Sequence, residues 1–216
     1  MDVVGVVSGK GAGESDGLVS WHAFYSSIHG WKPQYSHRVM SWEKPAQGLC
    51  KLNMDGCSLG NWGVSGWGGV LRDSSGALLF GFSIPFRVLT CIQAEIKSLH
   101  FGVQQCLLRG FSHIQAEVDS LMLVNILQGK SNCLWMVRSE VDALKAVQRL
   151  EWIVGHCFFE ANQVADALSK VWAHSSSLVL YTSQSELPRL AKGTMFLDRL
   201  GTPFIRNKAV CKITFL

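Results

Sequence analysis

The sequence predicts an α/β fold in which helices cover both faces of a five-stranded mixed sheet. Residues 49–84 have the pattern of three antiparallel strands, and the segments after them alternate between helical and strand-like periodicity. Such alternation is typical of α/β domains. The 216 residues are 48% hydrophobic and 17% charged, so the chain is long enough to bury a substantial core.

The first three strands are predicted from short apolar runs separated by turn residues. Residues 49–54 form the first run, which ends at Asp55 and Gly56. The runs 66–72 and 78–84 flank the sequence Asp73-Ser74-Ser75-Gly76, whose composition is typical of a hairpin turn. This arrangement predicts an antiparallel meander with an acid at the end of its first strand.

The first long helix is predicted to start after Thr90. Thr90 and Gln93 have the spacing of a capping box. Apolar residues then recur at three- and four-residue intervals until Gly110, at Ile96, Leu99, Val103 and Cys106. Glu95 therefore lies in the first turn, beside the buried stripe, and we expect it to face a neighbouring strand end.

The remaining elements bring two further acids to element ends. The strand 111–118 closes at Asp119, and Ser120 is the predicted N-cap of a short helix, 121–128. A helical stripe at Val137, Val141, Leu144 and Val147 precedes an apolar strand, 152–159. The last core helix, within 162–172, carries Asp166 near its start.

Four carboxylates at the ends of neighbouring elements are suited to binding Mg²⁺ or Mn²⁺, which prefer oxygen ligands. Each acid also has a simpler interpretation when it is taken alone. An Asp-Gly pair is ordinarily a turn, Asp119-Ser120 can be only a helix cap, and Glu95 and Asp166 suit the first turn of a helix. The metal-site hypothesis depends on the four acids occurring together.

The order of the four acids and of the motifs around them along the chain supports the interpretation that they belong to one site. The relevant motifs are Asp55-Gly56-Cys57-Ser58-Leu59-Gly60-Asn61, then 66–72, Ala94-Glu95, Glu117-Val118-Asp119-Ser120, Gly155-His156, Glu160-Ala161-Asn162 and Val164-Ala165-Asp166. Over residues 49–173 this series resembles ribonuclease H domains, and in particular the plant reverse transcriptase-like subgroup related to retrotransposons.

The resemblance implies a ribonuclease H-like fold with strand order 3-2-1-4-5 and an enzyme that hydrolyses the RNA strand of RNA–DNA hybrids. It implies that two Mg²⁺ ions, with Mn²⁺ as a substitute, bind the four acids Asp55, Glu95, Asp119 and Asp166. His156 would assist proton movement or product release, since imidazole gains and loses a proton near neutral pH.

The same resemblance implies a set of substrate-binding residues. They are Gly56, Cys57, Asn61, Ser120 and Asn162. Asn61 takes the position of an asparagine that contacts the RNA 2′-hydroxyl in relatives, and that hydroxyl is what distinguishes RNA from DNA.

An alternative is a domesticated, transposon-derived module that binds nucleic acid or protein with little or no catalysis. Cys91 and Leu121 stand where many relatives carry amide side chains, and Phe159 replaces a common arginine. Neither cysteine nor leucine offers the donor and acceptor pair of an amide. These substitutions favour the alternative, whereas the four intact acids favour the enzyme.

The domain organisation is predicted from composition. Residues 1–46 form a flexible glycine-rich segment with a lead-in, 47–174 form the ribonuclease H-like domain, and 175–216 form a C-terminal extension of unknown role. No apolar run approaches the roughly 18 residues that span a bilayer, and no signal peptide pattern is present. We therefore expect a soluble, intracellular monomer whose seven cysteines are free thiols in a reducing compartment.

The charge and the aromatic residues are compatible with nucleic acid without requiring it. The net charge is +4, and the basic residues available for phosphate contacts are Lys97, Arg109, Lys130, Arg138, Lys145, Arg149 and Lys170. They equally suit a solvated helix surface. Trp135, in a connecting segment, is suited either to stacking on a base or sugar or to core packing.

Overall fold

The computed structural model describes residues 34–58, 63–147, 152–171 and 177–210. The chain divides into a main unit, His37–Asn207, and a second unit made of Met1–Ser36 and Lys208–Leu216. In the second unit, Ser36 Oγ donates a hydrogen bond to the carbonyl of Lys208.

The predicted α/β class is confirmed by a mixed sheet of six strands in the order β6-β5-β2-β3-β4-β7. The strands are β2 (Cys50–Ser58), β3 (Gly63–Arg72), β4 (Leu78–Leu89), β5 (Ile114–Val118), β6 (Trp152–His156) and β7 (Val179–Tyr181). A separate two-stranded sheet pairs β1 (Gln34–Met40) with β8 (Phe204–Val210). β2, β3 and β4 are antiparallel neighbours, while β5 is parallel to both β2 and β6.

The predicted strand count of five is too low by one. The five predicted strands occur in the predicted order, and β7 adds a sixth by pairing antiparallel with β4. β7 is only three residues long, too short to produce a hydrophobic pattern in the sequence. Its pairing depends on tertiary contacts that bring the C-terminal segment back to the sheet.

All five predicted strands differ from the structure at a boundary: β3 begins earlier, at Gly63, β4 continues to Leu89, β5 begins only at Ile114, and the ends of β2 and β6 bear on the acids. β2 continues through Asp55 to Ser58, because its antiparallel pairing with β3 extends from Lys51 to Ser58. Its parallel pairing with β5 stops at Met54, opposite Val118. Asp55 therefore lies inside the strand yet beyond the end of its parallel neighbour. β6 ends at His156, and Phe159–Ala161 form a 3₁₀ turn instead of continuing the strand.

In the described ranges five α-helices surround the sheet, and none of them is both long and apolar enough to cross a membrane. They are α1 (Cys91–Leu108), α2 (Leu121–Leu127), α3 (Arg138–Val147), α4 (Gln163–Ser169) and α5 (Arg189–Arg199). The predicted capping box at Thr90 and Gln93 is confirmed, as is the N-cap role of Ser120, which accepts a hydrogen bond from the amide of Leu123.

Two main apolar clusters pack around the sheet, and a third, small one joins Trp67, Leu89 and Ala94. The larger one packs α1, α2 and α3 against β2, β5 and β6, and the smaller one joins α4 and α5 to Val70 of β3 and Tyr181 of β7. Met195 of α5 is fully buried in the smaller cluster. The compact unit is thus longer than the predicted 47–174 segment at both ends, since buried Trp42 precedes that segment and α5 follows it.

Candidate metal centre

Three of the four predicted acids converge at one edge of the sheet. Asp55, Glu95 and Asp119 each offer one carboxylate oxygen, and these oxygens lie within 4.8 Å of one another. The three side chains come from β2, from the fifth residue of α1 and from the residue after β5, so Glu95 lies just beyond the first helical turn in which it was predicted. Residues far apart in sequence thus form a single acidic cluster.

A close approach between α1 and β2 positions Glu95 beside Asp55. A Cβ atom at Gly56 would lie 2.4 Å from the carbonyl carbon of Ala94 and 2.5 Å from the amide nitrogen of Glu95, so only glycine fits there. The hydroxyl of Ser98 also donates a hydrogen bond to the backbone carbonyl of Asp55, at 2.8 Å. Gly56, predicted to bind substrate, is a packing contact in this structure.

The parallel pairing of β2 and β5 positions Asp119. Met54 and Val118 are register partners, and Asp55 and Asp119 are the next residues on these two strands. Parallel strands carry their carboxyl ends to the same edge, so both carboxylates meet there. Ser120, which caps α2, holds the chain at the turn that follows Asp119.

Burial and mutual repulsion raise the proton affinity of the cluster. Burial raises the pKa of Asp55 to about 7, with smaller contributions from Asp119 and Asp166, while a hydrogen bond from Ser169 and the charge of Lys170 oppose the rise. Burial, with the charges of Asp119 and Asp55, raises the pKa of Glu95 well above its ordinary value.

Burial likewise raises the pKa of Asp119, helped by Asp166 and opposed by a backbone hydrogen bond and His156. A bound cation would compensate both the desolvation and the repulsion.

The donor set fits a hard divalent cation. Its ligand atoms are all carboxylate oxygens, as Mg²⁺ and Mn²⁺ prefer. Two buried oxygens of the cluster, Glu95 Oε2 and Asp119 Oδ1, have no hydrogen-bond partner among the described residues. Buried polar atoms without partners are costly, so ligation would stabilise them.

Asp166 is the fourth acid, and its carboxylate is held by Lys170. Lys170 Nζ lies 2.6 Å from Oδ1 and 2.7 Å from Oδ2 of Asp166, one helical turn earlier on α4. Asp166 is outside the group that meets within 4.8 Å, although its charge acts on Asp55 and Asp119. The structure therefore brings three acids together and pairs the fourth with a lysine.

Sequence analysis missed Ser169. Its hydroxyl donates a hydrogen bond to Asp55 Oδ2, and its side chain is fully buried. Its position one turn after Asp166 on the same helix was the available signal. For Lys170 the sequence predicts only a possible phosphate contact or a solvated helix surface.

His156 lies at the end of β6, where its ring meets Phe158 edge-on at 5.1 Å. It lines a small polar cavity of about 180 Å³ together with Lys51 and Glu117. Its charge acts favourably on Asp119. The predicted role of His156 in proton movement remains a prediction.

Two of the other predicted substrate-binding residues, Cys57 and Asn162, form hydrogen bonds within the protein. Cys57 Sγ donates to the carbonyl of Ser169 at 3.3 Å. Asn162 is 1% exposed, and its amide group donates to the carbonyl of Met54 at 2.8 Å, so its observed contacts lie within the protein. Asn61 lies outside the described residues.

An apolar wall borders the acidic cluster. A cavity of about 470 Å³ beside Glu95 and Ser120 is lined by Thr90, Cys91, Ile92, Met122, Leu134 and Met136. Trp135, in the adjacent 3₁₀ turn, is 83% exposed, which rules out the core-packing alternative.

Comparison with known proteins agrees with this architecture. The model of the family described as reverse transcriptase-like matches residues 53–171. An Arabidopsis thaliana protein named "putative ribonuclease H protein" is 33% identical over 167 residues, which cover 76% of this chain and 27% of that relative. The chain thus spans about a quarter of the relative's length.

Two solved structures extend the comparison to the fold. Ribonuclease H1 from Halobacterium salinarum is 26% identical with a TM-score of 0.55, covering 58% of this chain and 98% of that one. The N-terminal ribonuclease H domain of a Mycobacterium tuberculosis protein shares the fold at 20% identity and the same TM-score, covering 57% of this chain and 92% of that one. With its motif order, its sheet and its acidic cluster, the chain belongs to the reverse transcriptase-like family, as a ribonuclease H-like domain of the plant type.

Proposed function

We propose that this chain is a metal-dependent endoribonuclease that hydrolyses the RNA strand of RNA–DNA hybrids. The observation that carries the proposal is the convergence of Asp55, Glu95 and Asp119 within 4.8 Å in a ribonuclease H-like fold. Metal-dependent phosphodiester hydrolysis needs such a cluster of oxygen ligands.

Asp55, Glu95 and Asp119 would hold one divalent ion, and Asp166 would join Asp55 in holding a second once Lys170 releases its carboxylate. When bound, Mg²⁺ or Mn²⁺ supplies the charge that activates water and stabilises the departing 3′ oxygen. Because Asp55 is buried and Glu95 and Asp119 are partly buried, the carboxylates are shielded from bulk water and their attraction for a cation is strengthened.

The remaining residues bind the substrate and move protons. His156, on the strand next to Asp119, carries protons to or from the reacting groups or helps to release product. Ser120, Cys57 and Asn61 contact the RNA strand, with Asn61 at the 2′-hydroxyl. These roles rest on the motif resemblance.

The hybrid is proposed to lie across the carboxylate edge and to extend towards exposed cations. Arg138 and Lys145 of α3 and Lys130 after α2 are exposed. Trp135, exposed between these elements, is suited to stack on a base or sugar. We propose that the chain acts as a monomer.

A turnover assay tests the proposal. The 216-residue chain is incubated with end-labelled RNA–DNA hybrid, RNA duplex and DNA duplex, in Mg²⁺ or Mn²⁺. We expect cleavage of the hybrid that leaves 5′-phosphate and 3′-hydroxyl ends. Asp55→Asn, Glu95→Gln and Asp119→Asn should each remove nearly all turnover, while the exposed Asp142→Asn serves as the matched control. Cleavage that survives all three changes would contradict the assignment.

The apolar wall favours a second candidate, a domesticated nucleic-acid-binding or interaction module with little or no catalysis. Cys91 and Leu121 are exposed beside the acidic cluster and offer no amide for hydrogen bonding to a duplex. Phe159 is also exposed, where an arginine would attract phosphate. Hybrid binding without cleavage in either metal would favour this module over the enzyme.

A further inference from the structure

A group of buried polar side chains lies next to the metal centre and uses a residue of the C-terminal segment. We call it the buried polar cluster; it consists of Lys51, Asn53, Arg72, Glu117 and Asp198, with the ring of Trp42. Lys51, Asn53, Arg72 and Asp198 are each at most 3% exposed, and the Glu117 side chain is 13% exposed. Charged groups are rarely buried to this extent unless they are paired.

Arg72 is the centre of the cluster. Its Nη1 donates to Asp198 Oδ2 at 2.6 Å, and its Nη2 donates to Asn53 Oδ1 at 2.7 Å. Its guanidinium carbon lies 3.6 Å from the centre of the Trp42 ring. One fully buried cation thus joins β3 to β2, to α5 and to the segment before β2.

The cluster continues from Asn53 to β5. Asn53 Nδ2 donates to Glu117 Oε2 at 3.1 Å, and Lys51 Nζ lies 2.6 Å from Glu117 Oε1. Two cations, Lys51 and Arg72, therefore balance two anions, Glu117 and Asp198. Asp198 supplies one of these two anions from a helix more than a hundred residues away in sequence.

The hydrogen bond between Asn53 and Glu117 places the buried polar cluster next to the carboxylates of Asp55 and Asp119. Asn53 and Glu117 are register partners on the parallel strands β2 and β5. Asp55 and Asp119 lie two residues further along the same chain segments. Because side chains alternate along a strand, Asn53 and Asp55 project from the same face of β2. The Asn53–Glu117 hydrogen bond therefore joins β2 to β5 two residues before Asp55 and Asp119.

α5 also contacts α4, the helix that is hydrogen-bonded to the metal centre. Its buried residues Ala191 and Met195 pack in one apolar cluster with Leu168 of α4. α4 also carries Asp166 and Ser169, and Ser169 is hydrogen-bonded to Asp55. The helix that supplies Asp198 is thus also packed behind the helix that supplies Asp166.

We propose that Asp198 is a positioning residue for the metal centre, acting through Arg72 and the Asn53–Glu117 bond on the spacing between Asp55 and Asp119. The inference rests on the proposed function, since it deepens the account of the same site. Supporting groups that orient metal ligands typically contribute about 10- to 100-fold to metal affinity. This positioning role of Asp198 also gives the segment 177–207 a part in the activity of the domain.

The experiment measures Mn²⁺ affinity by titration calorimetry and the melting temperature of the metal-free 216-residue chain. Asp198→Asn should weaken Mn²⁺ binding by about tenfold or more and also lower the melting temperature. The double change Arg72→Met with Asp198→Leu removes both charges, so the melting temperature should largely recover. Mn²⁺ affinity should stay low in the double variant, because Asn53 no longer receives the bond from Arg72.

Leu144→Ala controls for stability alone. Leu144 is fully buried in α3, so this change lowers the melting temperature without touching the buried polar cluster. Its Mn²⁺ affinity should match that of the unmodified chain.

If the Mn²⁺ affinity falls and recovers together with the melting temperature across all the variants, the positioning role is overturned. An unmodified chain that binds no Mn²⁺ would instead overturn the proposed function itself, and the inference with it.

Discussion

The hydroxyl group of Ser169 donates a hydrogen bond to Oδ2 of Asp55 and so joins α4 to β2 at the metal centre. Both side chains are buried, and no sequence motif links them. This bond lowers the pKa of Asp55, whereas burial raises it to about 7. Desolvation and this hydroxyl donor are therefore the two largest and opposing influences on the protonation of Asp55, with smaller ones from Asp119, Asp166 and Lys170.

The first prediction concerns the pH dependence of the unmodified chain. Folded Asp55 keeps its proton up to pH of about 7, whereas an ordinary aspartate loses it near 3.8. Without metal, the contribution of Asp55 to the free energy of unfolding should therefore fall as pH rises between about 4 and about 7, and the raised pKa values of Glu95 and Asp119 act in the same direction. Mn²⁺ binding needs the ionised form, so its affinity should rise through the same range.

Thermal melts across this pH range, in EDTA and in excess Mn²⁺, provide the measurement. The stabilisation by Mn²⁺ should grow with pH. A melting temperature that Mn²⁺ leaves unchanged at every pH would count against the metal centre.

The second prediction is that Ser169→Ala shifts the pH midpoint of Mn²⁺ binding upward. The change removes the hydroxyl that favours ionised Asp55, so the carboxylate would deprotonate at higher pH. Calorimetric titrations at several pH values measure the midpoint. Ser98→Ala is the matched control, because buried Ser98 donates to the backbone carbonyl of Asp55 and not to its carboxylate. A similar shift in both variants would contradict the assignment.

The third prediction is that Lys170→Met strengthens the weaker of the two Mn²⁺ binding steps. Lys170 neutralises Asp166 in the metal-free protein, and its ammonium competes with a cation for the same oxygens. More than half of the lysine side chain is exposed, and such ion pairs are worth about 0–1 kcal/mol, so the gain should be at most about fivefold.

Calorimetry resolves the two steps. Lys97→Met, which breaks the ion pair with Glu140 between α1 and α3, is the control and should leave both steps unchanged. Weaker binding in Lys170→Met would mean that the lysine supports the site.

The fourth prediction separates His156 from the metal ligands. His156→Ala should bind Mn²⁺ and hybrid almost normally but turn over more slowly, by about 10²- to 10⁴-fold or less. The reason is that His156 lies outside the acidic cluster formed by Asp55, Glu95 and Asp119. Single-turnover kinetics and calorimetry measure the two effects, with His113→Ala as the control. Loss of Mn²⁺ binding in His156→Ala would make this histidine a ligand.

The fifth prediction concerns Gly68, where β3 meets α4. A Cβ at this position would lie 2.1 Å from the amide nitrogen of Ser169, so Gly68→Ala must displace the helix that carries Asp166. We expect a destabilisation of about 3 kcal/mol, together with loss of turnover. Denaturant unfolding provides the measurement. Gly193→Ala in α5, where the added methyl group meets nothing within 4 Å, should be neutral or stabilising.

Local patterns in the sequence were sufficient for much of the fold. Hydrophobic periodicity and cap residues depend on neighbours within a few positions, so α1, its capping box at Thr90 and the cap at Ser120 could be predicted. The order of the motifs similarly predicted the succession of the first five strands. The same order indicated the acids, three of which meet in the structure.

Tertiary structure decided how those acids are supported. The bond from Ser169 to Asp55, the pairing of β7 with β4 and the ion pair between Arg72 and Asp198 join residues about 100 or more positions apart. No local periodicity encodes such contacts, because they depend on how α4 and α5 pack against the sheet. The sequence by itself thus determined which elements form and which carboxylates are available. Long-range packing determined that buried Lys51, Arg72 and Asp198 form a charge-balanced set with partly buried Glu117 beside the metal centre, since a buried charge is tolerated only where the fold brings it a partner.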